Sequence, residues 1–155
     1  MLGSKSKYFQ QSAKVLKQRR KDVYTILYLK GYSFNQITIY LRAFDFFCES
    51  PNSFDGATIV KDMQDVPLLD LDAMLHDYHY LTFSVASNFK TKWKADWLFA
   101  KQMEKKGKGL YTAYSRFIAL TIVGIGFVPY SYLKRGKISI KQNFLFNQEY
   151  KLLMS

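Results

Sequence analysis

A carboxylate stands where a helix should bury its apolar face. In FKTKWKADWLFAKQMEKKG, Trp93, Trp97, Ala100 and Met103 recur at i, i+4, i+7 and i+10, the period of a helix that packs on one side, and Gly107 supplies a stop. Asp96 falls inside that stripe, three residues after Trp93 and four before Ala100. A charged, unpaired carboxylate at such a position costs on the order of several kcal/mol. Asp96 must therefore have a partner. The preceding helical stretch, LDAMLHDYHY, offers the histidine His76.

Helical periodicity extends over most of the remaining chain. Asp22 to Phe47 reads as two helices broken at Gly31, a residue able to take the left-handed conformation that ends a helix. Ser33 and Gln36 form a capping box for the second, flanked by the staple pair Tyr32 and Ile37. Glu49 to Ala57 is a loop rich in turn formers, and Asp70 can cap a helix that runs through His76 and Tyr80. A further helix covers Leu110 to about Ile125, with Tyr114, Phe117, Ile118, Thr121 and Ile122 on its buried side and Gly124 and Gly126 ending it or allowing close packing. Beyond Pro129 the alternation of Ile138 and Ile140 with Lys137, Ser139 and Lys141 predicts a short strand or extended tail.

The expected fold is therefore mainly α. It is a small helical domain with two antiparallel central helices, about 70–83 and 89–106, a basic N-terminal helical hairpin over 1–50, a core over 51–130 and a short extended basic tail over 131–155. Its 155 residues suit a single domain with a real core. The one cysteine, Cys48, excludes an intramolecular disulfide framework and reads as a small apolar side chain beside Phe46 and Phe47.

Charge is unevenly placed. Residues 1–50 carry nine Lys/Arg and three Asp/Glu, residues 51–80 one and six, and residues 81–155 thirteen and three, giving +6, −5 and +10. An acidic island inside a basic chain suits a cation site or acid–base chemistry, and the basic flanks suit anionic partners. Lys14, Lys17, Arg19, Arg20 and Lys21 form the candidate nucleic-acid or assembly contact. The start MLGSKSKYFQQ has no apolar segment of secretory type, and Phe117 to Leu133 is too interrupted to cross a bilayer, so no transmembrane span is expected.

The chemistry-bearing residues lie in the acidic island and just after it. His76 and Tyr80, four apart, share a helix face, while Asp77 is rotated by about 100°. If the two central helices pack antiparallel, Asp96 can reach one ring nitrogen of His76 and leave the other to take a proton from water. HDYHY resembles the His-Asp-x-x-Tyr helix of phospholipase A2 enzymes, and most closely the phospholipase domain of parvovirus minor capsid proteins. That motif has an Asp six residues and an Ala three residues before the His, matched by Asp70 and Ala73. An Ala-Asp pair follows a basic, aromatic segment, matched by Ala95 and Asp96. The same residues resemble a group of short, uncharacterised phage and bacterial proteins with an HDYxY stretch, a later ADxxF and a Tyr-containing helix that ends in glycine.

By that resemblance His76 is the base, Asp96 its partner braced by Tyr80, and Asp77 a ligand for calcium. The family's Gly-x-Gly loop is represented only by Gly56. The implied function is phage or viral lipid-ester hydrolysis, in the virion or host cytoplasm, with a phospholipid surface or other virion proteins as partners and an oligomer or assembly as setting. One alternative is a virion structural or connector protein that uses the same helices for packing. Another is DNA binding, because GYSFNQITIYL resembles the turn and second helix of helix-turn-helix proteins. His79 reads as a surface side chain.

Overall fold

The computed structural model describes residues 8–53 and 71–155. Among them the regular structure is helical, without a strand: α1 (Ala13–Leu29), α2 (Phe34–Glu49), α3 (Leu71–Phe83), α4 (Phe89–Lys105), α5 (Leu110–Val123), α6 (Phe127–Arg135) and α7 (Ile140–Met154). Short 3-10 turns cover Pro51–Ser53, Val85–Ser87 and Gly124–Gly126. Two compact units divide the chain, one ending at Asp77 and the other running from Tyr78 to Ser155. The helix α3 contributes to both.

In the first unit α1 packs on α2. Gly31, at φ 82°, carries the chain out of α1, and the Tyr32 amide reaches back to the Leu27 carbonyl, satisfying a carbonyl the helix end leaves open. Gly107, at φ 81°, ends α4 by the same device, with the Lys108 amide on the Met103 carbonyl. The Ser33–Gln36 capping box starts α2 with both reciprocal bonds in place. Phe9 is buried between the rings of Phe44 and Phe47, and Val23, Leu27, Ile37 and Tyr40 complete the core.

The second unit is built around α4, which packs on α5, α7 and the turn Val85–Ser87. Its buried face comprises Thr91, Ala95, Leu98, Phe99, Ala100, Gln102 and Met103 together with Lys92 and Asp96. Of the stripe read from the sequence, Ala100 and Met103 are buried with Asp96 among them, while the two tryptophans lie outside the buried face. Trp93 is 47% exposed, stacking on Trp97 and meeting Phe117 edge-on at the rim of the helix pair rather than inside it. Two large aromatic rings can cover an edge while keeping one flank in water, so their spacing marks the border of a buried face as readily as its centre.

Two expectations about the C-terminal half are corrected. Ile118 and Ile122, read as buried, are 52% and 63% exposed, because the side of α5 that faces α4 carries Ala113, Arg116 and Gly124. The extended tail is instead the helix α7. Ser139 caps it by a second capping box with Gln142, and Phe146, Glu149 and Leu153 follow at helical spacing as its buried side. Among the described residues a lone Ile138–Ile140 alternation has no sheet to join, whereas this helix buries a face against α4. The helix α6 also continues through Pro129, which sits in its first turn, where a missing amide proton breaks no helical bond.

Candidate functional site

The helix α3 is buried on nearly every side: Leu71, Ala73, Met74, Leu75, Tyr78 and Phe83 share it with Asp72, His76 and His79, all at 9% exposure or less. Polar side chains so placed need bonded partners. In the first unit Asp72 accepts a hydrogen bond from the Tyr40 hydroxyl at 3.1 Å, and the Tyr40 ring meets Tyr32 edge-on. Burial first, and the Asp72 carboxylate second, push both phenols above their ordinary range. From the sequence alone Asp72 is only an acidic residue in a first helical turn, where the helix dipole favours it. Its burial against α2 could not be seen without knowing that Tyr40 faces the same core.

His76 and Asp77 close the first unit. The Nδ1 of His76 lies 3.8 Å from Oδ1 of its neighbour Asp77, an electrostatic contact longer than a hydrogen bond. Four residues on, Tyr80 projects from the same helix face as His76. In the second unit the Tyr80 hydroxyl donates to Asp96 Oδ1 at 2.7 Å. The structure therefore brings Tyr80 and Asp96 together.

Asp96 is wholly buried, and its second oxygen receives the ammonium of Lys92 at 2.5 Å. Lys92 is itself only 5% exposed, and it donates as well to the Leu120 carbonyl at 2.9 Å. That carbonyl belongs to the last turn of α5, where the helix dipole presents partial negative charge and favours a cation. The ammonium is thus held by a carboxylate and a helix end together, which offsets the cost of removing both charges from water. Gly124, the C-cap of α5, makes room for it: a Cβ there would stand 2.5 Å from Nζ and 2.6 Å from Cε. Sequence reasoning missed Lys92, which stands in a stretch read only as a basic, aromatic segment before the Ala-Asp pair. Its signal was the i, i+4 relation to a buried aspartate.

His79 is a second correction. It is 1% exposed, with Nε2 2.8 Å from Glu149 Oε2 and its ring against Phe83 and Phe146. The partner comes from α7, so reading that segment as extended removed the only sign that His79 had a buried neighbour. Two further bonds fasten α7 to α4: Lys94 donates to Asn147 at 2.7 Å, and Gln102 donates to the Leu153 carbonyl at 2.9 Å.

No group of three or more His, Cys, Asp or Glu side chains gathers around Asp77 or elsewhere to hold a metal among the described residues. Gly56 and Asp70 lie outside the described residues. The residues present thus make no metal cage by themselves. In the basic arm the two arginines are engaged within the first unit. Arg19 donates to the Tyr8 carbonyl and lies over the Tyr8 ring, and Arg20 grips Asp45 through two bonds of 2.8 and 2.9 Å. Lys14, Lys17 and Lys21 are exposed. The helix α2 buries Gln36, Ile37, Ile39, Tyr40, Leu41, Ala43, Phe44 and Phe47, which leaves few of its side chains facing solvent.

No protein-family model, curated protein or solved structure matches the chain.

Proposed function

We propose that this chain is a phospholipase-A2-like protein of phage or viral type in which His76 draws a proton from water and the resulting hydroxide attacks a lipid ester carbonyl. The observation that carries the reading is the 2.7 Å bond from Tyr80 to the buried Asp96, the pairing that a His-Asp-x-x-Tyr helix and a later Ala-Asp would require. Asp96 has the supporting role of that motif. Asp77 is the side chain that would hold calcium, a hard cation suited to carboxylate oxygen. The test is release of fatty acid from mixed anionic vesicles at millimolar calcium, comparing wild type with His76→Ala. Release by wild type and its loss in the variant are expected; no release by wild type ends the hydrolase reading.

The Lys92–Asp96 pair favours a second reading, a virion structural or connector protein. A carboxylate already neutralised by a buried ammonium holds α4 and α5 together without any reaction. In that case His76→Ala lowers stability or assembly, and purified particles contain the chain in a fixed copy number. Absence of the chain from particles would count against it.

A further inference from the structure

Residues 105–148 contain eight Lys/Arg and no Asp or Glu. Over this stretch α5 presents Tyr111, Ser115, Ile118 and Ile122 to solvent, at steps of four, three and four, so they line one helix face, and Ile125 follows three residues on in the Gly124–Gly126 turn. The four large residues among them are 52–88% exposed. Beyond the Gly124–Gly126 turn, α6 adds Tyr130 and Leu133, at 51% and 84%. The cations Lys134, Arg135, Lys137 and Lys141 follow at once, and Lys134 donates to the Tyr130 hydroxyl at 3.2 Å. A contiguous apolar stripe of this kind on a soluble surface marks a contact site.

We infer that the outer face of α5 and α6 lies on anionic phospholipid bilayers. Branched aliphatic side chains offer nothing to a phosphate backbone or a base edge, which argues against a nucleic acid. The stripe has no carboxylate with which to pair a basic protein partner, and its cations suit a surface that carries negative charge throughout. Tyrosines with an apolar ring and a polar tip suit the headgroup level. Length and burial together decide between lying and spanning. α5 has 14 residues and α6 has 9, and the two are bent by 42° at their junction. Crossing the hydrocarbon takes about 20 consecutive apolar residues. No single helix among the described residues is long and apolar enough to cross; the bent pair together has the length and composition of a broken span, but Ala113 and Arg116 on the inner side of α5 are buried within the second unit, so only its outer face is free to meet lipid and the pair fits the interface plane.

The experiment is flotation of the full chain with vesicles of phosphatidylcholine alone and of equal phosphatidylcholine and phosphatidylglycerol. Wild type should float with the anionic vesicles and much less with the neutral ones. Ile118→Asp/Ile122→Asp, at positions whose exposure leaves the fold intact by circular dichroism, should weaken binding more than tenfold. Lys134→Ala/Lys137→Ala should weaken it at least tenfold on anionic vesicles, roughly fivefold per cation. Equal binding by the aspartate variant overturns the inference, as does failure of wild type to float. Self-association in solution that the aspartate variant abolishes also overturns it, by assigning the stripe to a second copy. Flotation is read without hydrolysis, so a wild type that binds but releases no fatty acid keeps this inference and removes the hydrolase reading.

Discussion

Replacing Gly124 by alanine tests how tightly the Lys92 ammonium is seated. Gly124 has φ −79° and ψ −7°, an ordinary right-handed conformation, so alanine meets no backbone strain there. By unfolded-state entropy alone the change should stabilise by about 0.4–1 kcal/mol. The structure predicts the opposite sign. The new Cβ would lie 2.5 Å from Nζ, where ordinary contact begins at 3.4 Å, so the ammonium must retreat by about 0.9 Å. Such a retreat cannot keep both the 2.5 Å bond to Asp96 and the 2.9 Å bond to the Leu120 carbonyl. Losing one charged hydrogen bond costs about 1.5–3 kcal/mol. Against the entropic gain, the net expectation is a loss of about 1–2 kcal/mol, or about 2–8 °C in Tm for a chain of this size. Gly126→Ala is the control: its φ is −67°, and a Cβ there meets nothing within 4 Å. Urea or thermal unfolding of both variants beside wild type gives the answer. The reasoning is refuted if Gly124→Ala is as stable as Gly126→Ala. In a Lys92→Ala background, which removes both atoms the new Cβ meets, the Gly124→Ala penalty should vanish.

Other perturbations probe the same network and its surroundings. Lys92→Met leaves a buried carboxylate without its cation and should cost about 3–5 kcal/mol in chemical denaturation, whereas Tyr80→Phe removes one donor and should cost about 1–3 kcal/mol. Glu149→Leu strips His79 of its partner and should destabilise by about 1–3 kcal/mol, while the same change at the exposed Lys151 should move unfolding by less than about 0.5 kcal/mol. Burial pushes the Cys48 thiol up from 9.0 to about 11, so alkylation near pH 8 should be about a hundredfold slower than for the unfolded chain, and equal rates would contradict the burial. Burial likewise raises Tyr8 from 10.0 to about 12. A folded state that holds this proton more tightly is fully stabilised below the unfolded value and loses that contribution as pH rises through the folded one, so unfolding midpoints should fall between those two values. A flat profile there would show the phenol to be solvated.

The helical framework was legible wherever a local signal coincided with a buried face. Gly31, Ser33 and Gln36 placed the α1–α2 break, and Gly107 placed the end of α4, because caps act within a few residues of themselves. Ser139 and Gln142 spelled the same capping box before α7. There the Ile138–Ile140 alternation pointed to a strand, and only tertiary burial of Phe146 and Leu153 decides between the two. One misread helix then hid Glu149 and with it the burial of His79. The demand that Asp96 be partnered was legible from its register alone. Lys92 answers it only because Gly124 and the Leu120 carbonyl make a seat for the ammonium, an arrangement set by how α5 packs and not by the spacing along α4. The exposure of Ile118 and Ile122 has the same origin, since periodicity shows that a helix has an apolar face but not whether the fold covers it.

The most direct test of the central claim, that Asp96 is a buried carboxylate held by a buried ammonium, is a nitrogen-detected NMR spectrum of the lysine side chains at neutral pH. The account predicts one ammonium signal that exchanges with water far more slowly than those of the exposed lysines, is absent in Lys92→Met and shifts in Asp96→Asn and Tyr80→Phe. Lysine ammonium signals that all exchange at the rate of exposed lysines, with none displaced by Asp96→Asn, would contradict it.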